Sequence, residues 1–276
     1  MTDVNPLLIA EPITPLIGAR ITNPKPELLS GALAPQLRAM LEERGVLVFP
    51  GVDFSDCELV AFTRTLGDYA PDHPDGRVTR ISTDPDGGAS ARYTQASRFW
   101  HFDGYMNAVP VFASILAARV LPDTGGETEF ANTFAAYEAI ADEDKAAFAG
   151  LKVVHALAGA QRAIDPEPSH AELREWLRVP AATLPLVWTH RSGRRSLVLG
   201  NSAVGVVGME PLASLELLVR LRDFATRAEF TCRHHWRAGD AVMWDNTGTL
   251  HRVLPYDPAS GRSLVRTKLA GEESIT

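Results

Sequence analysis

The chain has 276 residues, 45% of them apolar and 22% charged, with 27 Lys and Arg against 34 Asp and Glu, a formal charge of −7. A chain of this size and ordinary composition buries a core without staples, and its mild acidity argues against a surface built to grip nucleic acid or anionic lipid. No apolar run reaches the roughly 20 residues of a membrane helix. The first apolar stretch follows an acid and has prolines close by, unlike a secretory signal. Cys57 and Cys232 are accordingly expected as unpaired thiols of a cytoplasmic protein.

Residues 33–43 place Leu37, Met40 and Leu41 at helical spacing, and Gly45 then opens a buried strand over 46–49. Ser55 and Glu58 form a capping-box pattern that starts a helix running to Leu66. Residues 67–92 are rich in Gly, Pro and Asp and read as loop, with one short strand over 78–82. Strands are expected over 99–103 and 112–120, a turn at Gly125 and Gly126, and helices over 133–140 and 142–148. A strand over 151–157 leads to a polar, proline-bearing insert at 159–182, with at most a short helix over 171–177. A segment of that length is usually functional, and a lid is the expectation. Segments 186–190 and 196–199 read as a hairpin, 212–226 as an amphipathic helix, and 230–236 with 241–244 as a second hairpin around Gly239. Strands over 251–253 and 262–269 close the chain. Many short strands with helices between them, and no linker, predict one mainly β domain over 1–276, a double-sheet jelly roll with helices packed outside.

The chemistry concentrates in Trp100-His101-Phe102-Asp103. Residues i and i+2 of a strand face the same side, so His101 and Asp103 would aim an imidazole and a carboxylate at one point. These are two thirds of the facial triad that holds non-haem Fe(II) with open positions. A third ligand must come from the other seven histidines. His251, after the strand end Trp244-Asp245-Asn246, is one choice, and the adjacent pair His234 and His235 is another. Arg262 and Arg266 share parity on the last strand. Two inward guanidiniums are costly to bury without an anion, and each matches a carboxylate in a two-bond fork.

The ordered motifs WHFDGYM from Trp100, GGETEFANTFAAYEAI from Gly125, FTCRHHWRAGDAVMWDNTGTLHR from Phe230 and GRSLVRT from Gly261 resemble the Fe(II)/2-oxoglutarate-dependent dioxygenases of the taurine and dichlorophenoxyacetate dioxygenase group. The resemblance spans about residues 35–270 and is weakest over 67–95 and 159–182. It implies a double-stranded β-helix (cupin-like) core. It implies His101, Asp103 and His251 as catalytic iron ligands, and Thr128, Arg262 and Arg266 at the 2-oxoglutarate. Fe(II), 2-oxoglutarate and O₂ are then the expected cofactor and cosubstrates, and succinate and CO₂ leave as a substrate carbon is hydroxylated. Hydroxylation at a carbon bearing O, N or S would cleave the substrate.

The expected substrate is a small organic anion, for which Arg266, Tyr69, His73, Ser97, Phe99, Tyr105 and Met106 are the contact candidates. Ser97 stands where taurine-specific members carry Asn, which argues against taurine. Two other classes stay open on the residues: a Zn hydrolase on the same ligands, and a non-catalytic 2-oxoglutarate sensor. The expected partners exclude nucleic acid and membrane, and a homo-oligomer stays open.

Overall fold

The structure is a computed structural model that describes residues 6–82 and 95–276. The remainder of the expected 67–92 loop therefore lies outside the described residues. In chain order the elements are β1 (Ala10–Pro12), β2 (Ala19–Ile21), α1 (Lys25–Leu29), α2 (Ala34–Arg44), β3 (Val46–Phe49), α3 (Asp56–Leu66), β4 (Thr79–Ser82), β5 (Ala113–Val120) and β6 (Thr128–Asn132). Then come α4 (Thr133–Glu138), α5 (Asp142–Phe148), β7 (Lys152–His155), α6 (Leu157–Arg162), α7 (His170–Trp176), β8 (Ala182–Pro185), β9 (Val187–Thr189), β10 (Arg195–Leu197) and β11 (Ala203–Val206). The chain closes with α8 (Pro211–Ala225), β12 (Thr231–His234), β13 (Ala241–Asp245), β14 (Thr249–Val253) and β15 (Ser263–Leu269).

Seven strands form the larger sheet in the order β1-β2-β3-β13-β5-β15-β4, and β12-β6-β14 form a smaller one facing it. The period of two along each strand divides the core into layers. In β13, Val242 and Trp244 point between the sheets, where they meet Val46, Val48, Leu116, Leu264, Phe130 and Cys232. Ala241 and Met243 point the other way, onto a layer that includes Leu37 and Leu41 of α2 and Leu59 and Phe62 of α3. A third layer behind the smaller sheet joins Ala131 and Leu250 to Trp188, Leu197, Leu218 and Leu221. This is a jelly-roll core with helices outside both sheets.

Local signals act as expected at α2 and α3. Gly45, at φ 70°, ends α2 with its N–H on the Leu41 carbonyl and drops the chain into β3. Ser55 and Glu58 cap α3 reciprocally. The hairpin expected over 186–199 is present as β9 and β10.

Four expectations are corrected. Residues 99–103 are not a strand: a 3₁₀ turn at Ala96–Arg98 is followed by irregular chain with one bridge, His101 to His251. The second hairpin is also absent. β12 pairs with β6, whereas β13 pairs with β3 and β5, so the Gly239 turn crosses between sheets. A strand pattern does not state which sheet a strand joins. The expected strand over 151–157 stops at His155, and α6 begins at Leu157. The insert over 159–182 holds the end of α6 as well as α7, which a Ser169–Glu172 capping box opens and whose Trp176 is buried.

Candidate active site

His101 and His251 are tied by their backbones. His101 N donates to the His251 carbonyl at 3.1 Å, and His251 N donates back at 2.9 Å. Their rings lie 4.1 Å apart between centroids. Asp103 Oδ1 sits 3.9 Å from His101 Nε2. One ligand atom from each of His101, Asp103 and His251 lies within 4.8 Å of the others, the one such metal-competent group among the described residues. His234 is turned away to Asp240, 3.2 Å from its carboxylate.

The chain from 96 to 101 lacks a strand ladder and is held from the side. Asn201 N donates to the Trp100 carbonyl at 2.8 Å, and Asn201 Nδ2 donates to the Ala96 carbonyl at 3.0 Å. Gly200, at φ 137°, passes so close that a Cβ there would stand 3.2 Å from His101 Cα. Sequence reasoning missed Gly200 and Asn201 because no motif marks them. Their partners are a hundred residues away.

The electrostatics suit a cation. Burial pushes the His251 imidazole down to about 3, helped by His101, so it is neutral and able to ligate. Burial would raise the Asp103 carboxyl, but its cationic surroundings, with the Arg266 guanidinium the permanently charged group among them, hold it below its ordinary value. His101 Nδ1 lies 2.9 Å from the Phe99 carbonyl. That contact assigns the proton to Nδ1 and leaves Nε2 as the donor atom, the usual outer arrangement of a ligating histidine. The donor set therefore fits the facial triad of an Fe(II) site.

A cavity of about 90 Å³ between the sheets joins this group to Ser97, Thr128, Arg262 and Arg266, with Leu116, Leu264, Trp244 and Tyr256 among its walls. The two arginines meet there because β15 keeps its alternation. The ladder with β5 shifts between Ser263, paired with Val120, and Leu264, paired with Ala118, so the extra residue is Arg119 on β5. Arg262 is 4% exposed. Its Nη2 donates to the Gly126 carbonyl at 3.0 Å, and its guanidinium lies 4.8 Å from the centre of the Tyr256 ring. Burial lowers its pKa, no carboxylate pairs with it among the described residues, and its Nε is buried without a partner. A Cβ on Gly126, which has φ 75°, would lie 2.9 Å from Arg262 Nε. Thr128, on the β6 that sequence reading missed, accepts from Trp236 Nε1 at 3.0 Å.

The other contact candidates are dispersed. Tyr69 gives its hydroxyl to the Gly76 and Arg77 carbonyls. His73 lies in the same loop and, like Tyr69, does not line the cavity. Phe99 lines a separate surface pocket with Trp100, Ala163 and Asn201. Tyr105 packs on His155 and Phe102 with its hydroxyl buried, and burial pushes it up to about 12. Met106 is 54% exposed.

Residues 10–268 match the family model described as taurine catabolism dioxygenase TauD, TfdA family. The chain belongs to this family. It is 31% identical to an (S)-phenoxypropionate/alpha-ketoglutarate-dioxygenase of Sphingobium herbicidovorans over 98% of this chain and 97% of that one. It is 30% identical to an alpha-ketoglutarate-dependent 2,4-dichlorophenoxyacetate dioxygenase of Cupriavidus pinatubonensis, over 94% and 96%. It is also 32% identical to an alpha-ketoglutarate-dependent sulfate ester dioxygenase of Pseudomonas putida, over 97% and 91%. Among solved structures, AAD-2 in complex with Mn(II) and N-oxalylglycine superposes with a TM-score of 0.86 at 29% identity, covering 98% of this chain and 99% of that one.

Proposed function

We infer that this chain is an Fe(II)- and 2-oxoglutarate-dependent dioxygenase that hydroxylates a small organic anion. The observation that carries the reading is the pairing, in one cavity, of a His101–Asp103–His251 donor group with a buried guanidinium, Arg262, that lacks a carboxylate partner. A buried cation of this kind calls for an anion, and a dicarboxylate that also reaches the metal answers both ends. Family membership and the names of the relatives support the same cosubstrate.

His101, Asp103 and His251 would hold the metal as the donor set of a facial triad. Bound there, Fe(II) and 2-oxoglutarate supply, with O₂, the oxidising power for hydroxylation, and succinate and CO₂ leave. Arg262 would fork onto the distal carboxylate of 2-oxoglutarate, and the Thr128 hydroxyl, which accepts from the Trp236 indole, would donate to the same group. Tyr256, Leu116 and Leu264 line the cavity beside Arg262 and would limit water around the pair. On the metal side, Arg266 lines the cavity and is paired with Asp103 and Asp72, and Lys268 is paired with Asp72. The aryloxyalkanoates and sulfate esters of the relatives are the first substrates to test.

Anaerobic addition of Fe(II) and then 2-oxoglutarate is expected to produce a weak visible absorption band. Succinate should then form on admitting air in a panel of organic anions, most strongly with the true substrate. Failure of the band would leave a Zn hydrolase. A band without substrate-dependent succinate would leave a sensor.

The segment 159–182 is read as a cover for the site. Ala163, at the end of α6, shares a surface pocket with Trp100, Asn201 and Arg252, directly behind the ligand loop. Movement of the segment from that pocket across the ligand loop would exclude water from the cavity during turnover. Hydrogen exchange across 159–182 is expected to slow when Mn(II) and 2-oxoglutarate bind. Equal protection with and without them would remove the lid.

A further inference from the structure

Arg266 does not offer a free guanidinium to the cavity. Its Nη1 donates to Asp103 Oδ2 at 3.4 Å, and its Nη2 donates to Asp72 Oδ2 at 3.3 Å. Asp72 is held from two further sides. Thr79 Oγ1 donates to its Oδ2 at 2.6 Å, and the Lys268 ammonium pairs with its Oδ1. Burial alone would raise the Asp72 carboxyl, but Lys268, Thr79 and Arg266 pull it down to about 2, so it is ionised throughout the working range.

The backbone fixes these partners in place. Thr79 is the register partner of Arg266 where β4 pairs with β15. Tyr69 bridges to Leu269, Ala70 N donates to the Lys268 carbonyl at 2.9 Å, and Ala270 N donates to the Asp68 carbonyl at 2.7 Å. Residues 68–72 are thus stitched to the end of β15, and Asp72 reaches Arg266 and Lys268 from there.

The two oxygens of Asp103 face different groups. Oδ1 is on the His101 side at 3.9 Å from Nε2, and Oδ2 is on the Arg266 side. We propose that Asp72 is a positioning residue: it holds and partly neutralises Arg266, which lies against Asp103 Oδ2, and so keeps the Asp103 carboxylate available to a metal ion. The proposal rests on the reading of His101, Asp103 and His251 as the metal ligands. The physical reason lies in the charges. Asp72 shares its carboxylate between Arg266 and Lys268 and so offsets part of the Arg266 charge. Without it, an unopposed guanidinium would compete with the metal ion for Asp103.

The test is Mn(II) affinity, read by electron paramagnetic resonance, for the wild type, Asp72→Asn, Arg266→Met and the double variant. Asp72→Asn keeps the side-chain volume and an oxygen for Thr79 while removing the charge. The expected result is Mn(II) binding about tenfold weaker in Asp72→Asn, the range of an outer-shell change. In the Arg266→Met background the same substitution should change affinity by about twofold or less, since coupling vanishes when the mediating residue is gone. An unchanged Kd in Asp72→Asn overturns the proposal. So does an equal loss in both backgrounds, which would make Asp72 a structural residue that acts through Lys268 or the loop. Failure of the wild type to bind Mn(II) would instead sink the metal site itself, a result separate from either.

Discussion

Replacing His251 with alanine is expected to abolish turnover, a loss well beyond the 10–100-fold typical of outer-shell changes around a metal. His251 is buried, and it brings its donor atom within 4.8 Å of those of His101 and Asp103. Two donors cannot reproduce the three-point grip that leaves one face open. His251 also packs against Trp244, with ring centroids 4.8 Å apart, so alanine removes core volume as well as a ligand. His251→Gln retains most of that volume and separates the effects. Circular dichroism should report a folded protein, while Mn(II) affinity and succinate formation are both lost. Asp103→Ala should fail in the same way. Near-normal activity in His251→Ala would overturn the ligand assignment; of the two alternatives, His234 is paired with Asp240 and His235 lies exposed beside Glu127.

The second large effect is expected at Arg262. Arg262→Met should raise the apparent KM for 2-oxoglutarate by about a hundredfold, equivalent to about 3 kcal/mol for a buried charge-assisted pair. Apparent KM for the prime substrate should move far less. Arg262 reaches the cavity from the Gly126 and Tyr256 side, whereas Arg266 is committed to Asp103 and Asp72 at the metal end. The measurement is steady-state kinetics with each cosubstrate varied in turn, alongside growth of the visible band on anaerobic 2-oxoglutarate titration of the Fe(II) protein. If Arg262→Met shifts only the prime-substrate KM, the dicarboxylate lies elsewhere and the reading of the cavity fails. Arg262→Lys is expected to recover part of the affinity, because an ammonium supplies charge without the planar fork.

The sequence by itself determined much of this protein. Local signals settled α2, its Gly45 stop and the Ser55 capping box, because caps and left-handed glycines act within a few residues. The ordered motifs around His101, Thr128, His251 and Arg262 were enough to indicate the family and the jelly roll. Strand parity along 262, 264 and 266 was legible too, and it survived because the bulge fell on the neighbouring strand.

Tertiary structure decided the rest. The stretch 99–103 carries a strand's alternation, yet it meets only His251 by one bridge, with Gly200 and Asn201 holding it in place of a ladder. Residues 230–244 read as a hairpin, yet β12 and β13 join opposite sheets, since pairing partners are chosen by packing across the whole fold. Parity placed Arg266 in the cavity, but it could not state that Asp72, 194 positions away, would occupy its guanidinium. Alternation reports which face a side chain takes. What it meets on that face depends on segments distant in sequence, and their free energy of contact exists only once the chain has folded.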